Sequence, residues 1–185
     1  TLLRLHFPYI EMDARAGIAL LVKHLVERGH RRIAYVGAPA VFTLQADRLA
    51  GYQAGLAQAQ IPFDAALVVE GDLTRQGGFQ KGLQLLDLPE RPTAIIGAND
   101  LTAIGVMRAA RERGLVVGRD LAVAGYDGTE DAEHAQPPLT TLGQPIYDTA
   151  RQLARMLVTR IAGETLTEPT LILQPKLIIR ESTGG

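Results

Sequence analysis

The chain repeats one unit: a helix-length amphipathic stretch, a turn, and then an apolar run only three to five residues long. Runs that short and that apolar are strands covered on both faces, and such strands belong to parallel sheets with helices on each side. The runs are residues 32–36, 67–69, 93–97 and 121–124. Helices are expected at 13–28, 46–59, 74–86 and 100–113. In the first of these, Ile18, Leu21, Val22, Leu25 and Val26 fall at helical spacing. Asp13 stands where a cap is wanted, and Gly29 where a left-handed terminator is wanted. The fold class is therefore α/β, a Rossmann-like parallel sheet.

Three of these strands end in small polar clusters. The first runs into Gly37-Ala38-Pro39 and, further on, Arg48; the third into Ala98-Asn99-Asp100; the fourth into Gly125-Tyr126-Asp127-Gly128. In a parallel sheet those ends lie side by side, and ligands bind in the crevice just outside them. A guanidinium, an amide and a carboxylate suit a small neutral molecule rich in hydroxyls.

Composition narrows the functions. A chain of 185 residues has room for one domain or two small lobes. With net charge −1 it has no basic face for a phosphate backbone, so this segment alone is not expected to bind nucleic acid. No run approaches the roughly 20 apolar residues of a membrane span. Thr1-Leu2-Leu3-Arg4 lacks the apolar core of a signal peptide. The four histidines, His6, His24, His30 and His134, have no ligand spacing, so no metal is expected. There is no cysteine, and the only serine is Ser182, near the end and outside any Gly-x-Ser-x-Gly turn. Neither Gly-x-Gly-x-x-Gly nor Gly-x-x-x-x-Gly-Lys occurs, which speaks against a nucleotide cofactor. No cofactor and no catalysis are expected. The chain begins at Thr1 without Met, and its first helix starts by residue 13, leaving no room before it for more sheet. We read it as a piece of a longer protein.

After residue 135 the pattern changes. Gln136-Pro137-Pro138-Leu139-Thr140-Thr141 is rigid and extended, because each proline fixes its own φ and restrains its predecessor. Gln144-Pro145 opens a helix with Ile146, Ala150, Leu153, Leu157 and Ile161 on one face, closed by Gly163. Short strands near 171–173 and 177–179 finish the chain. The stretch 139–145 reads as a crossing between two lobes.

Each candidate site residue has a plain structural alternative. Asp127-Gly128 is a common turn pair. One of Asn99 and Asp100 should cap the following helix, with Asp100 mostly structural and Asn99 free to reach the crevice. Spacing alone favours Arg48 as a solvated helix residue, and Gln144 could be incidental to Pro145.

The chain resembles the effector-binding core of the LacI/GalR family of bacterial transcription regulators. The matching stretches are residues 24–34 (HLVERGHRRIA), 47–52 (DRLAGY), 92–100 (PTAIIGAND), 121–127, 138–141 (PLTT) and the ending 180–183 (REST), in order along nearly the whole chain. The run 125–131 (GYDGTED) looks especially like the lac repressor branch. The resemblance implies a periplasmic-binding-protein-like core of two lobes joined by three crossings, with the effector between them. Residues 13–143 would be the C-terminal lobe, 146–163 a helix of the N-terminal lobe, and 170–181 strands returning to the C-terminal lobe. Most of the N-terminal lobe and a helix-turn-helix headpiece would lie upstream. Carried over by position, Arg48, Asn99, Asp127 and Gln144 are effector contacts. Leu73 stands where several relatives place an aromatic ring against the effector.

The resemblance further implies a cytoplasmic, non-enzymatic regulator, read as a repressor, that responds to a sugar or related small molecule. It would bind DNA only through the upstream headpiece. A homodimer is expected through the segment that starts at Asp131 and ends at Gln136, together with the exposed face of the helix between Leu101 and Arg113. The alternative is an exported sugar- or solute-binding protein of a transporter, which shares this fold and this kind of site.

Overall fold

The computed structural model describes residues 8–184; Thr1-Leu2-Leu3-Arg4 and His6 lie outside them. Strands β2 (Ile33–Gly37), β3 (Val68–Glu70), β4 (Ala94–Gly97), β5 (Ala122–Asp127), β6 (Thr140–Gly143) and β8 (Lys176–Ile178) form one sheet in the order β3-β2-β4-β5-β6-β8. The first five strands are parallel and β8 is antiparallel to β6. Successive side chains alternate between two cores, as strand geometry requires. Ile33, Tyr35, Ala94, Ile96, Ala124 and Tyr126 point to one face, under α1 (Ala14–Glu27) and α2 (Thr43–Gln58). Ala34, Val36, Ile95 and Val123 point to the other, under α3 (Arg75–Leu86) and α4 (Asp100–Glu112). Both faces are covered, which is why the strands read as uninterrupted apolar runs.

The helices approach closely because glycines face the contacts. A Cβ on Gly105 of α4 would lie 2.2 Å from the Arg75 carbonyl oxygen. In α4 little is left exposed: Arg108, Arg111 and Glu112 face solvent, so the outward face expected between Leu101 and Arg113 is narrow. A short helix α5 (Glu130–Glu133), not foreseen from sequence, follows β5 and is tied to α3 by an Arg75–Asp131 ion pair at 2.7 Å.

Four further expectations are corrected. Helix α2 starts at Thr43 rather than residue 46, because Phe42 occupies the cap position without any side-chain cap bond. The stretch read as a bare crossing is in part the sheet strand β6, and the change of direction comes at Gln144-Pro145. Tyr9–Met12 is a strand, β1, which half-buried residues without strict alternation did not announce. The segment 170–181 does not return as a unit. β7 (Thr170–Leu173) pairs in parallel with β1 in a separate two-stranded sheet, with Tyr9 opposite Thr170, and only β8 joins the main sheet. Gln174-Pro175 separates the two strands, and the proline interrupts the ladder so that each pairs elsewhere. Helix α6 (Ile146–Ile161) buries no residue among those described; Ile146, Leu157 and Ile161 are each more than half exposed.

Candidate functional site

The carboxyl ends of β2, β4, β5 and β6 converge on one crevice lip. Asp127 ends β5 with φ at 125°, in a region that L residues rarely adopt, and Gly128 follows at 73°. Only Asp127 is strained there; Gly128 adopts its φ freely and leaves room for β6, since a Cβ on it would come within 2.6 Å of Gly143 Cα. Gln144, just past β6, donates from Nε2 to Asp127 Oδ1 at 2.9 Å. The Asp127 carboxyl is pushed up to about 6. Burial is the main cause; the Arg48 guanidinium opposes it, the neighbouring Asp100 adds to it, and the Gln144 bond opposes it.

Arg48 is no solvated helix residue. It is 8% exposed, its guanidinium carbon lies 4.2 Å from the centre of the Tyr126 ring, and Nη1 donates to the Ala98 carbonyl. Its buried Nε has no hydrogen-bond partner in the protein. A buried, charged donor left unpaired is costly. Tyr126 supplies the platform, a cation–π contact between residues far apart in sequence that no local spacing signals.

Asn99, not Asp100, caps α4: Oδ1 accepts from Thr102 N at 2.9 Å. Its amide is less free than expected, because Nδ2 donates to the Leu73 carbonyl at 3.1 Å. One amide hydrogen is left for the crevice. Asp100 is completely buried and structural, accepting from Thr129 N and Oγ1 at 2.8 and 2.9 Å and from Thr141 Oγ1. It fastens the β5–α5 turn to β6. Leu73 precedes α3 at φ 66° and packs against the core on the α1/α2 face.

All five sequence-predicted residues therefore fall on one continuous chain of contacts. Leu73 bonds Asn99; Asn99 adjoins Ala98, which Arg48 bonds; Arg48 stacks on Tyr126; Tyr126 adjoins Asp127, which Gln144 bonds. Gln144 is thus not incidental. A cavity beside Arg31, Tyr52, Leu56 and Ile61 opens near the other end of α2, away from the five site residues; Arg32 and Asp64 there satisfy each other at 3.1 Å.

The sequence profile of the periplasmic binding protein-like domain matches residues 22–183. The HTH-type transcriptional regulator CelR of Thermobifida fusca is 38% identical over 174 residues, covering 94% of this chain and 51% of CelR. The HTH-type transcriptional repressor CytR of Escherichia coli (strain K12) is 34% identical over 179 residues, covering 97% and 52%. Among solved structures, a regulatory protein of the LacI family from Chloroflexus aggregans superposes with a TM-score of 0.92 at 39% identity, covering 99% of this chain and 66% of that one. A CelR–cellobiose complex superposes at 0.88 and 38% identity, covering 95% and 54%. The chain belongs to the periplasmic binding protein-like domain family and, within it, to the LacI/GalR branch. It spans about half the length of CelR and CytR.

Proposed function

We propose that this chain is the effector-binding core of a bacterial transcriptional repressor that responds to a sugar or a related polyol. In this reading Arg48, Asn99, Asp127 and Gln144 hold the effector and Leu73 packs against it. The observation that carries the reading is Asp127. A strained, desolvated carboxylate held at the crevice lip by Gln144 destabilises the fold, and such strain persists where function needs it. Its two oxygens match adjacent hydroxyls of one sugar ring. The relative CelR, solved with cellobiose, supports a carbohydrate as the ligand class.

In this scheme residues 13–143 with β8 form the C-terminal lobe. α6 and the β1–β7 pair belong to the N-terminal lobe, which upstream residues complete. The exposed apolar face of α6 and the separate two-stranded sheet support that division. The effector favours one lobe arrangement by its differential affinity for the two, and DNA affinity follows through an upstream headpiece. The protein acts in the cytoplasm without catalysis. It pairs with a second copy through residues 131–136 and the solvent-facing side chains of α4, a patch that a two-fold axis would repeat on both partners. No helix among the described residues is long and apolar enough to cross a membrane.

A gel-shift assay tests the reading. The intact protein is mixed with DNA upstream of its own and neighbouring genes, with and without mono- and disaccharides. Binding to one segment that a particular saccharide strengthens or abolishes is the expected result. An intact protein that binds saccharides, ignores DNA and carries an export signal would instead be a solute-binding protein.

A further inference from the structure

We infer that the chain holds a second small-molecule site, at the amino end of the main sheet, that takes a compact aryl carboxylate. Nothing in it depends on the sugar reading. The site is the cavity of about 360 Å³ lined by Arg31, Ile33, Tyr52, Leu56, Ile61 and Leu67. Ile33 opens β2, and Leu56 stands in the last turn of α2. The cavity therefore lies at the opposite end of the strands from Asp127. Its volume falls at the lower end of the range for ligand pockets, the size for one small ring and a short side arm.

The floor asks for an apolar body. Ile33, Leu56 and Leu67 are aliphatic and buried, and the Tyr52 hydroxyl is occupied by the Ile33 carbonyl at 2.8 Å. Gln60 turns left-handed at φ 58° to close α2, and Ile61 N donates to Leu56 O at 2.9 Å, which seats Ile61 against the same core. Phe63, between the lining residues Pro62 and Asp64, sets its ring edge-on to Tyr52 with centres 6.4 Å apart and stays 48% exposed. Edge-to-face contact with such rings favours an aryl group over an alkyl chain. The rim supplies the charge. Arg32 and Asp64 offset each other, and Asp64 Oδ1 also accepts from Ala66 N at 2.9 Å. Arg31 has no such carboxylate among the described residues. The carbonyls of Val26 and His30 hold its Nη1 at 2.9 and 3.1 Å, and its Nε and Nη2 donate to no described residue. Those two groups are the parallel donors that a carboxylate accepts. Two guanidiniums and one carboxylate leave the lining at +1, in a chain of net charge −1.

The test titrates 3-phenylpropionate, its amide and acetate into the intact protein, followed by calorimetry and by methyl NMR. The acid should saturate with a Kd below about 1 mM. It should move the methyl signals of Ile33, Leu56, Ile61 and Leu67 and leave those of Leu73, at the crevice, in place. The amide keeps the aryl body and loses the charge, and acetate does the reverse. Each should bind at least about tenfold more weakly than the acid. Arg31→Gln should weaken the acid about tenfold and keep the wild-type melting temperature, because Arg31 is exposed. Acid and amide binding equally, or an acid affinity that Arg31→Gln leaves unchanged, would overturn the inference. So would shifts centred on Leu73, or no saturation by about 10 mM acid.

Discussion

Asp127 costs the protein stability on two counts, its φ of 125° and the burial that pushes its carboxyl up to about 6. Backbone strain of this kind is worth roughly 1–3 kcal/mol. The raised carboxyl makes stability depend on pH in a definite direction. An unfolded aspartate titrates near about 3.9, so between about pH 4 and about 6 the folded protein binds more protons than the unfolded chain. Stability contributed by this residue therefore falls as pH rises through that window and stays low above it. Asp127→Asn removes the titration while keeping an acceptor for Gln144. Melting curves of the two proteins should diverge with rising pH, the variant gaining on the wild type from pH 4 to about pH 6 and holding its lead at pH 8. A gap independent of pH would mean that the carboxyl is not desolvated. The sequence marked Asp127 by its place after an apolar strand, and the structure adds the strain and burial. Those depend on β6 passing beside Gly128 and on Arg48 lying over Tyr126, neither of which a local pattern contains.

At the scale of elements, β2, β4, β5, α1 and α4 were legible because each carries its signal within itself: apolar runs covered on both faces, a stripe at helical spacing, a cap. The elements that sequence missed depend on distant partners. β1 has no strand partner but β7 among the described residues, and β6 is a strand because β5 and β8 flank it. The C-terminal turn shows how such partners are held. Ser182, fully buried, donates to the Val123 carbonyl at 2.6 Å and accepts from Thr140 N at 2.8 Å, bridging β5 and β6. Next to it, Thr140 Oγ1 accepts from Arg180 N at 2.9 Å and lies 2.9 Å from both the Arg180 carbonyl oxygen and Thr183 Oγ1. Thr183 Oγ1 in turn lies 2.9 Å from Nε2 of the buried His24 ring. Ser182→Ala strands two buried backbone groups and should cost at least about 2 kcal/mol in urea unfolding. The exposed neighbour change Glu181→Ala should leave the midpoint where it was. Equal midpoints for all three proteins would show that the tail is not anchored.

For the molecule as a whole, the sheet gathers side chains from four separate segments onto one lip, and the same architecture leaves α6 with its apolar face uncovered by the described residues. Spacing alone left Arg48 and Gln144 with ordinary readings. The family resemblance is what marks them as effector contacts, and the structure sets both within the run of contacts from Leu73 to Gln144. The central claim is that this lip binds a polyhydroxylated effector through Asp127. Its most direct test is calorimetric titration of the intact wild-type protein and Asp127→Ala with a panel of mono- and disaccharides. Hydrogen bonds to a charged group are worth roughly 1.5–3 kcal/mol each. The account therefore predicts one saccharide that binds the wild type and binds Asp127→Ala about ten- to several-hundredfold more weakly, with both proteins folded. A saccharide that binds the two equally well would contradict it.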